Sequence, residues 1–188
     1  MNDSHQRNAG RHEDRVALIT RLADRAELTE LIFRVSLCLD EHRFEDLADL
    51  FVEDGVVVTP AGAAHGRAAL VAHATEGNGQ YDRMQHVTTN VLIDFDDEAT
   101  EAKTNTEADT ETDTAETSIP AAVDADRARI RANIIAHLCQ GTDPHPVVMR
   151  GGVSLGKAVR TAEGWRLTEL EARPTWTVTA PQPALHPA

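Results

Sequence analysis

The chain has 188 residues, of which 41% are hydrophobic and 26% charged, with a net charge of −13 at neutral pH. That length suits one domain with tails, and the acidic excess gives no footing for nucleic acid. No apolar run approaches the roughly 20 residues that cross a bilayer, and residues 1–15 lack the apolar stretch of a secretory signal, so the expected location is cytoplasmic with Cys38 and Cys139 as free thiols.

Residues 1–13 read as a disordered tail. From about Asp14 an apolar rhythm begins with Val16, Leu18, Ile19 and Leu22, then continues through Leu28, Leu31, Ile32, Val35 and Leu39. The second set recurs every three or four residues, one stripe of an amphipathic helix ending near His42. A short helix is predicted over 44–52 with Leu47, Leu50 and Phe51 inward, and Asp54-Gly55 then turns the chain into a strand at 56–59. Residues 60–66 read as a loop, and 67–74 as a third helix that ends at Gly77-Asn78-Gly79. Long strands follow at roughly 84–95, 128–140, 147–160 and 164–178. Gly151, Gly152 and Gly156 mark bulges or bends in the third of these, and Glu163-Gly164 turns the chain into the last. Residues 179–188 form a proline-rich tail.

The segment 96–126 is built largely from Thr, Glu, Asp and Ala. Its eleven acids against Lys103 carry −10 of the total charge, which leaves only −3 for the rest of the chain. Such a sequence cannot bury enough apolar surface to offset the entropy of ordering, so it reads as a disordered insert in place of a hairpin turn. A long surface insertion costs little, because closure entropy grows only logarithmically with length.

Two segments carry the chemistry. One is the helix 28–40, which closes on Asp40; the other is the strand beginning Met84-Gln85-His86. An acid in the last turn of a helix opposes the helix dipole, so Asp40 is not placed there for helix stability. An imidazole held by a carboxylate is the usual form of a general base. The plainer readings are a solvated helix end for Asp40 and a core histidine for His86. His137 is a weaker third candidate, and Asn90 and Asn133 are possible donors to a ligand oxygen. Arg129, Arg131, Asn133 and His137 share one face of their strand, which suggests a solvated face and a pocket lined instead by Ile130, Ala132, Ile134 and Ala136. Phe33, Phe44 and Phe51 read as core, and Trp165 and Trp176 as core or dimer-face residues. His42, His65, His73 and His145 fall in loops or on an exposed helix side without a metal-ligand pattern. No phosphate loop or nucleophile elbow is present.

The order helix, helix, strand, helix and long strands resembles the SnoaL-like, nuclear transport factor 2-like superfamily. The resemblance is carried by Ala26–Ile32, Leu39–Phe51, Gln85–Asn90, Gly164–Leu167 and Arg173–Trp176, whose order and spacing are similar to the scytalone dehydratase-like branch. It implies an α+β cone, a curved mixed sheet wrapped around N-terminal helices, over residues 14–178. It also implies an Asp40–His86 dyad, a second histidine near His137, and a pocket reached by Leu39, Thr59 and Ser154. The branch's two tyrosines correspond to Leu39 and Thr59, neither of them a phenol, and its Ser/Asn pair falls around Gly152 and Ser154. The activity implied is that of a lyase or isomerase without cofactor or metal, acting on a small apolar, cyclic or polyketide-like molecule, in a homodimer. The alternatives are a non-catalytic ligand-binding or dimerisation module, or the small subunit of a ring-hydroxylating dioxygenase.

Overall fold

The computed structural model describes residues 3–96, 126–142 and 145–179. Helix α1 spans Asp3–Asp40, followed by a 3-10 helix at Phe44–Leu50, strands β1 (Phe51–Thr59) and β2 (Gly62–His65), and helix α2 (Arg67–Asn78). Strands β3 (Arg83–Phe95), β4 (Arg127–Cys139), β5 (Val148–Thr161) and β6 (Gly164–Thr179) complete the chain. The expected α+β architecture is present: helices at the N-terminal end and a curved six-stranded mixed sheet. Its order is β2-β1-β6-β5-β4-β3, with β1 and β6 parallel and every other pair antiparallel.

Several expectations change in detail. Residues 3–13, read as a tail, belong to the backbone of α1. The helix expected at 44–52 is a tight 3-10 turn that ends at Leu50, and the 60–66 loop contains the edge strand β2. The acidic insert lies outside the described residues except for Asp96 and Asp126, and the proline-rich tail lies outside them beyond Thr179.

The core forms where the α1 stripe meets the inner face of the sheet. Leu28, Leu31 and Ile32 are buried against Phe51, Phe95 and Leu167. The earlier set behaves differently: Val16, Leu18, Ile19 and Leu22 are all more than half exposed. Phe44 and Phe51 are buried as expected, but Phe33 is 46% exposed. It follows Ile32 directly, and one residue is a rotation of about 100° around the helix, which carries it off the buried stripe. Trp165 is in the core, its indole N–H donating to buried Asp24. Trp176 is 42% exposed and lies over Gly151 on the outer face.

Bulges decide which residues reach the interior. In β3 the pairing with β4 shifts between Thr89 and Leu92, where Asn90 adopts a left-handed φ of 52°. Inward-facing Met84, His86 and Thr88 therefore give way to Val91, Ile93 and Phe95, a change of parity that one extra residue produces. Opposite Gly151-Gly152, and again opposite Lys157-Ala158, the pairing of β5 with β6 skips one residue of β6. The glycines thus mark irregularities as expected, but the extra residues, Thr168 and Thr175, belong to the last strand. These shifts keep Leu167, Leu170 and Ala172 on the inner side of β6.

Candidate active site

A cavity of about 210 Å³ lies between α1, α2 and the inner face of the sheet. Its walls are mostly aliphatic, with Val35, Leu39, Leu70, Ile134 and Leu170 among them. It adjoins a wider, more polar mouth of about 640 Å³ edged by Glu76, Arg150 and Arg173. His86, His73, Thr59, Asn78, Ile134 and Ala172 line both spaces and so form the neck between them.

The dyad expected from the sequence is in contact. Asp40 is the last residue of α1, and His86 lies on β3, the edge strand that α1 packs against. The His86 ring Nδ1 is 2.6 Å from Asp40 Oδ1, and the His86 backbone N–H donates to Oδ2 at 2.9 Å. Both carboxylate oxygens are thus used, which fixes the side chain in orientation as well as position. The His86 side chain is only 7% exposed, and that of Asp40 is 21% exposed.

The charge state of Asp40 assigns the protons. Burial penalises its charge, but the hydrogen bonds from the His86 ring and backbone outweigh that penalty, helped by the neighbouring His86 and His42 rings. Its carboxyl therefore sits below the ordinary value of 3.8. An ionised carboxylate can only accept, so Nδ1 of His86 must donate. In the neutral ring the lone pair is then on Nε2, the nitrogen not taken by Asp40.

This coupling has a consequence for stability. A carboxyl whose pKa is lower folded than unfolded contributes stability that is complete above the unfolded value of about 3.9. That contribution is lost as pH falls through the folded value. In urea unfolding, Asp40→Asn is expected to have a lower midpoint than wild type at neutral pH, with the gap closing below about pH 4. A gap of the same size at pH 3 and pH 7 would mean that the charge on Asp40 contributes nothing.

Of the other sequence candidates, Leu39, Thr59 and Ser154 line the cavity, and Ser154 is buried. Three do not belong to it. His137 is on β4, where even-numbered residues from Ala128 to Leu138 face inward, so its odd position turns it to the outer face; its Nδ1 is buried there without a hydrogen-bond partner among the described residues. Asn133 shares that face, where Arg131 donates to its amide oxygen at 3.3 Å. Asn90 is exposed at the β3 bulge, where its left-handed conformation accounts for the residue type. Of the aliphatic set expected from the alternate face, Ile134 lines the cavity, Ala136 lines the mouth, and Ile130 and Ala132 are core.

Other polar residues on the wall are Ser36, paired with Thr88 at 2.9 Å, and His73, whose Nε2 is 2.9 Å from Thr59 Oγ1. The sequence places His73 in a loop or on an exposed helix side, whereas in the structure it lines the cavity. Its signal was the spacing Leu70, His73, Ala74, which puts the imidazole on the buried face of α2. Among the described residues no group of three His, Cys, Asp or Glu could hold a metal ion, and no helix is long and apolar enough to cross a membrane.

Comparison with known proteins fits this geometry. The profile described as SnoaL-like domain matches residues 20–171, which includes every residue lining the inner cavity except Ala172. The chain belongs to the SnoaL-like family. Among solved structures it is similar to a putative scytalone dehydratase from Novosphingobium aromaticivorans, at 25% identity and TM-score 0.65, over 90% of this chain and 96% of that one. It is also similar to the hexachlorocyclohexane dehydrochlorinase LinA-type3 from Novosphingobium barchaimii, at 15% identity and TM-score 0.64, over 90% and 99% of the two chains. The Kfla4162 protein from Kribbella flavida matches at 20% identity and TM-score 0.61, over 84% and 95%. The last two likenesses are of fold alone. No curated protein is significantly similar in sequence.

Proposed function

We propose that this SnoaL-like protein is a lyase or isomerase that needs no cofactor and takes a proton from carbon in a small cyclic, oxygen-bearing molecule. The observation that carries the reading is the Asp40–His86 pair in the wall of a largely aliphatic cavity. Such a base works when it is held within hydrogen-bond reach of the carbon acid in the correct tautomer, and Asp40 supplies both conditions. The aliphatic wall supports a ring-sized apolar ligand and keeps water from competing for the base. The name of one structural relative, a putative scytalone dehydratase, denotes an elimination, a reaction class in which a proton is lost from carbon.

In the proposed step, Nε2 of His86 removes a proton next to a carbonyl and the C–H bonding pair delocalises into an enolate. Asp40 stabilises the imidazolium that forms. The proton then returns to another carbon, giving isomerisation, or a β substituent leaves with its bonding pair, giving elimination. The test is exchange of α-protons in deuterium oxide, followed by NMR for a panel of five- and six-membered cyclic ketones. Faster exchange with the wild-type protein than with His86→Gln is expected for those the cavity admits. Equal rates with the two proteins across the panel would refute the assignment.

A further inference from the structure

An enolate needs a hydrogen-bond donor at its oxygen as well as a base at its carbon. Asn90 is not available for this, since it lies outside the cavity at the β3 bulge. We infer that Thr59 donates to the ligand oxygen and that His73, acting through Thr59, is its positioning residue. This deepens the proposed function and rests on it.

The bonds around Thr59 Oγ1 leave its hydrogen for a ligand. A hydroxyl has one hydrogen to give and two lone pairs to fill. The backbone N–H of Ala61 donates to this oxygen at 3.2 Å, and Nε2 of His73 lies 2.9 Å from it. Donation by Thr59 requires the His73 tautomer protonated on Nε2, which fills the second lone pair so that the hydroxyl hydrogen must go elsewhere; in the other tautomer Nε2 would accept that hydrogen. Among the described residues the remaining acceptor is the Gly62 carbonyl at 3.4 Å. That is longer than the 2.5–3.0 Å usual for an O–H donor, so a ligand oxygen in the neck competes for the hydrogen at little cost. Two donors into one hydroxyl also polarise it and strengthen its own donation. Thr59 and His73 line both the inner cavity and the mouth, as His86 does.

The two histidines thereby have opposite tasks. His86 is backed by a carboxylate, which prepares it to receive a proton. His73 is backed by a hydroxyl, which it prepares to donate. In the reaction Thr59 transfers nothing: the carbonyl π pair moves onto oxygen as His86 takes the carbon proton, and the Thr59 O–H bridges to that oxygen until the pair returns. The ligand implied carries a carbonyl or enolisable oxygen one or two atoms from the acidic carbon. A halogenated hydrocarbon without oxygen would leave this donor unused.

The test uses 4-nitrophenol, whose phenolate imitates an enolate and is distinguished from the phenol by its visible absorbance. Nitrobenzene, a ring without the hydroxyl, is the control. The full-length wild-type protein is expected to bind the phenolate in preference to nitrobenzene. Thr59→Val and His73→Leu should each weaken phenolate binding roughly tenfold or more, with nitrobenzene binding unchanged. Thr59→Ser and His73→Gln, which keep a hydroxyl and an N–H donor, should restore it. If phenolate binding survives Thr59→Val but is lost in His86→Gln, the oxygen sits on the dyad; this assignment is then overturned while the proposed function stands. Equal binding of the two probes by wild type, or binding of neither, would also overturn it. The α-proton exchange measurement on His86 remains the separate test of the dyad.

Discussion

His86→Gln is expected to lower the rate of α-proton exchange by about a thousandfold, within the range of 10²–10⁴ that a positioned general base contributes. Glutamine is close to histidine in length and retains a polar end, so the cavity keeps its shape. Its amide, however, has no basicity near neutral pH. Asp40→Asn should fall less, by about a hundredfold, because the imidazole survives. The asparagine amide can offer its N–H to the ring where the carboxylate could only accept, and this turns the lone pair from Nε2 to Nδ1. The double variant should be little worse than His86→Gln alone, since Asp40 acts through His86 and the two effects do not add. Additive losses would mean that Asp40 touches the ligand independently.

Gly152→Ala is expected to destabilise the fold by about 3 kcal/mol, the upper part of the range for forcing extra volume into packed structure, and Gly151→Ala by much less. A Cβ at Gly152 would lie 2.3 Å from the Arg173 carbonyl oxygen and 2.7 Å from Pro174 Cα, so only backbone movement could relieve it. A Cβ at Gly151 would meet the ring of Trp176 at 2.1 Å, but that ring is 42% exposed and can swing away. The difference matters for the site, because β6 enters it beside this bulge through Ala172 and Pro174. Equilibrium urea unfolding of both variants measures the contrast. Equal losses would mean that the closeness of β5 and β6 at Gly152 is not needed.

The fold and the Asp40–His86 contact were legible in the sequence because both depend on order and spacing that short-range patterns preserve. The α1 stripe from Leu28 to Leu39 repeats every three or four residues, and Asp40 follows it directly. The candidates that fall outside the site do so where one residue changes the answer. His137 and Asn133 share a face, and it is the outer one, as the solvated-face reading of this strand expects, so their candidacy as site residues ends there. Asn90 is an asparagine because it bulges the strand, a backbone requirement that resembles a binding residue when only its type is visible. His73 was missed although Leu70, His73 and Ala74 all fall inside the helix expected at 67–74, where a spacing of three and four places them on one face. β2 was hidden because four residues beginning at Gly62 are too few to show an alternating pattern.

The most direct measurement of the central claim is the tautomer of His86, read from the ring nitrogen chemical shifts of uniformly ¹⁵N-labelled protein at a pH where the ring is neutral. His86→Gln assigns the signal, and Asp40→Asn shows its cause. The neutral wild-type ring is expected to carry its proton on Nδ1, with Nε2 unprotonated, and to lose this preference in Asp40→Asn. A neutral wild-type ring protonated on Nε2 would contradict this, because its lone pair would then lie on Nδ1, against Asp40, and could not take a proton from a ligand.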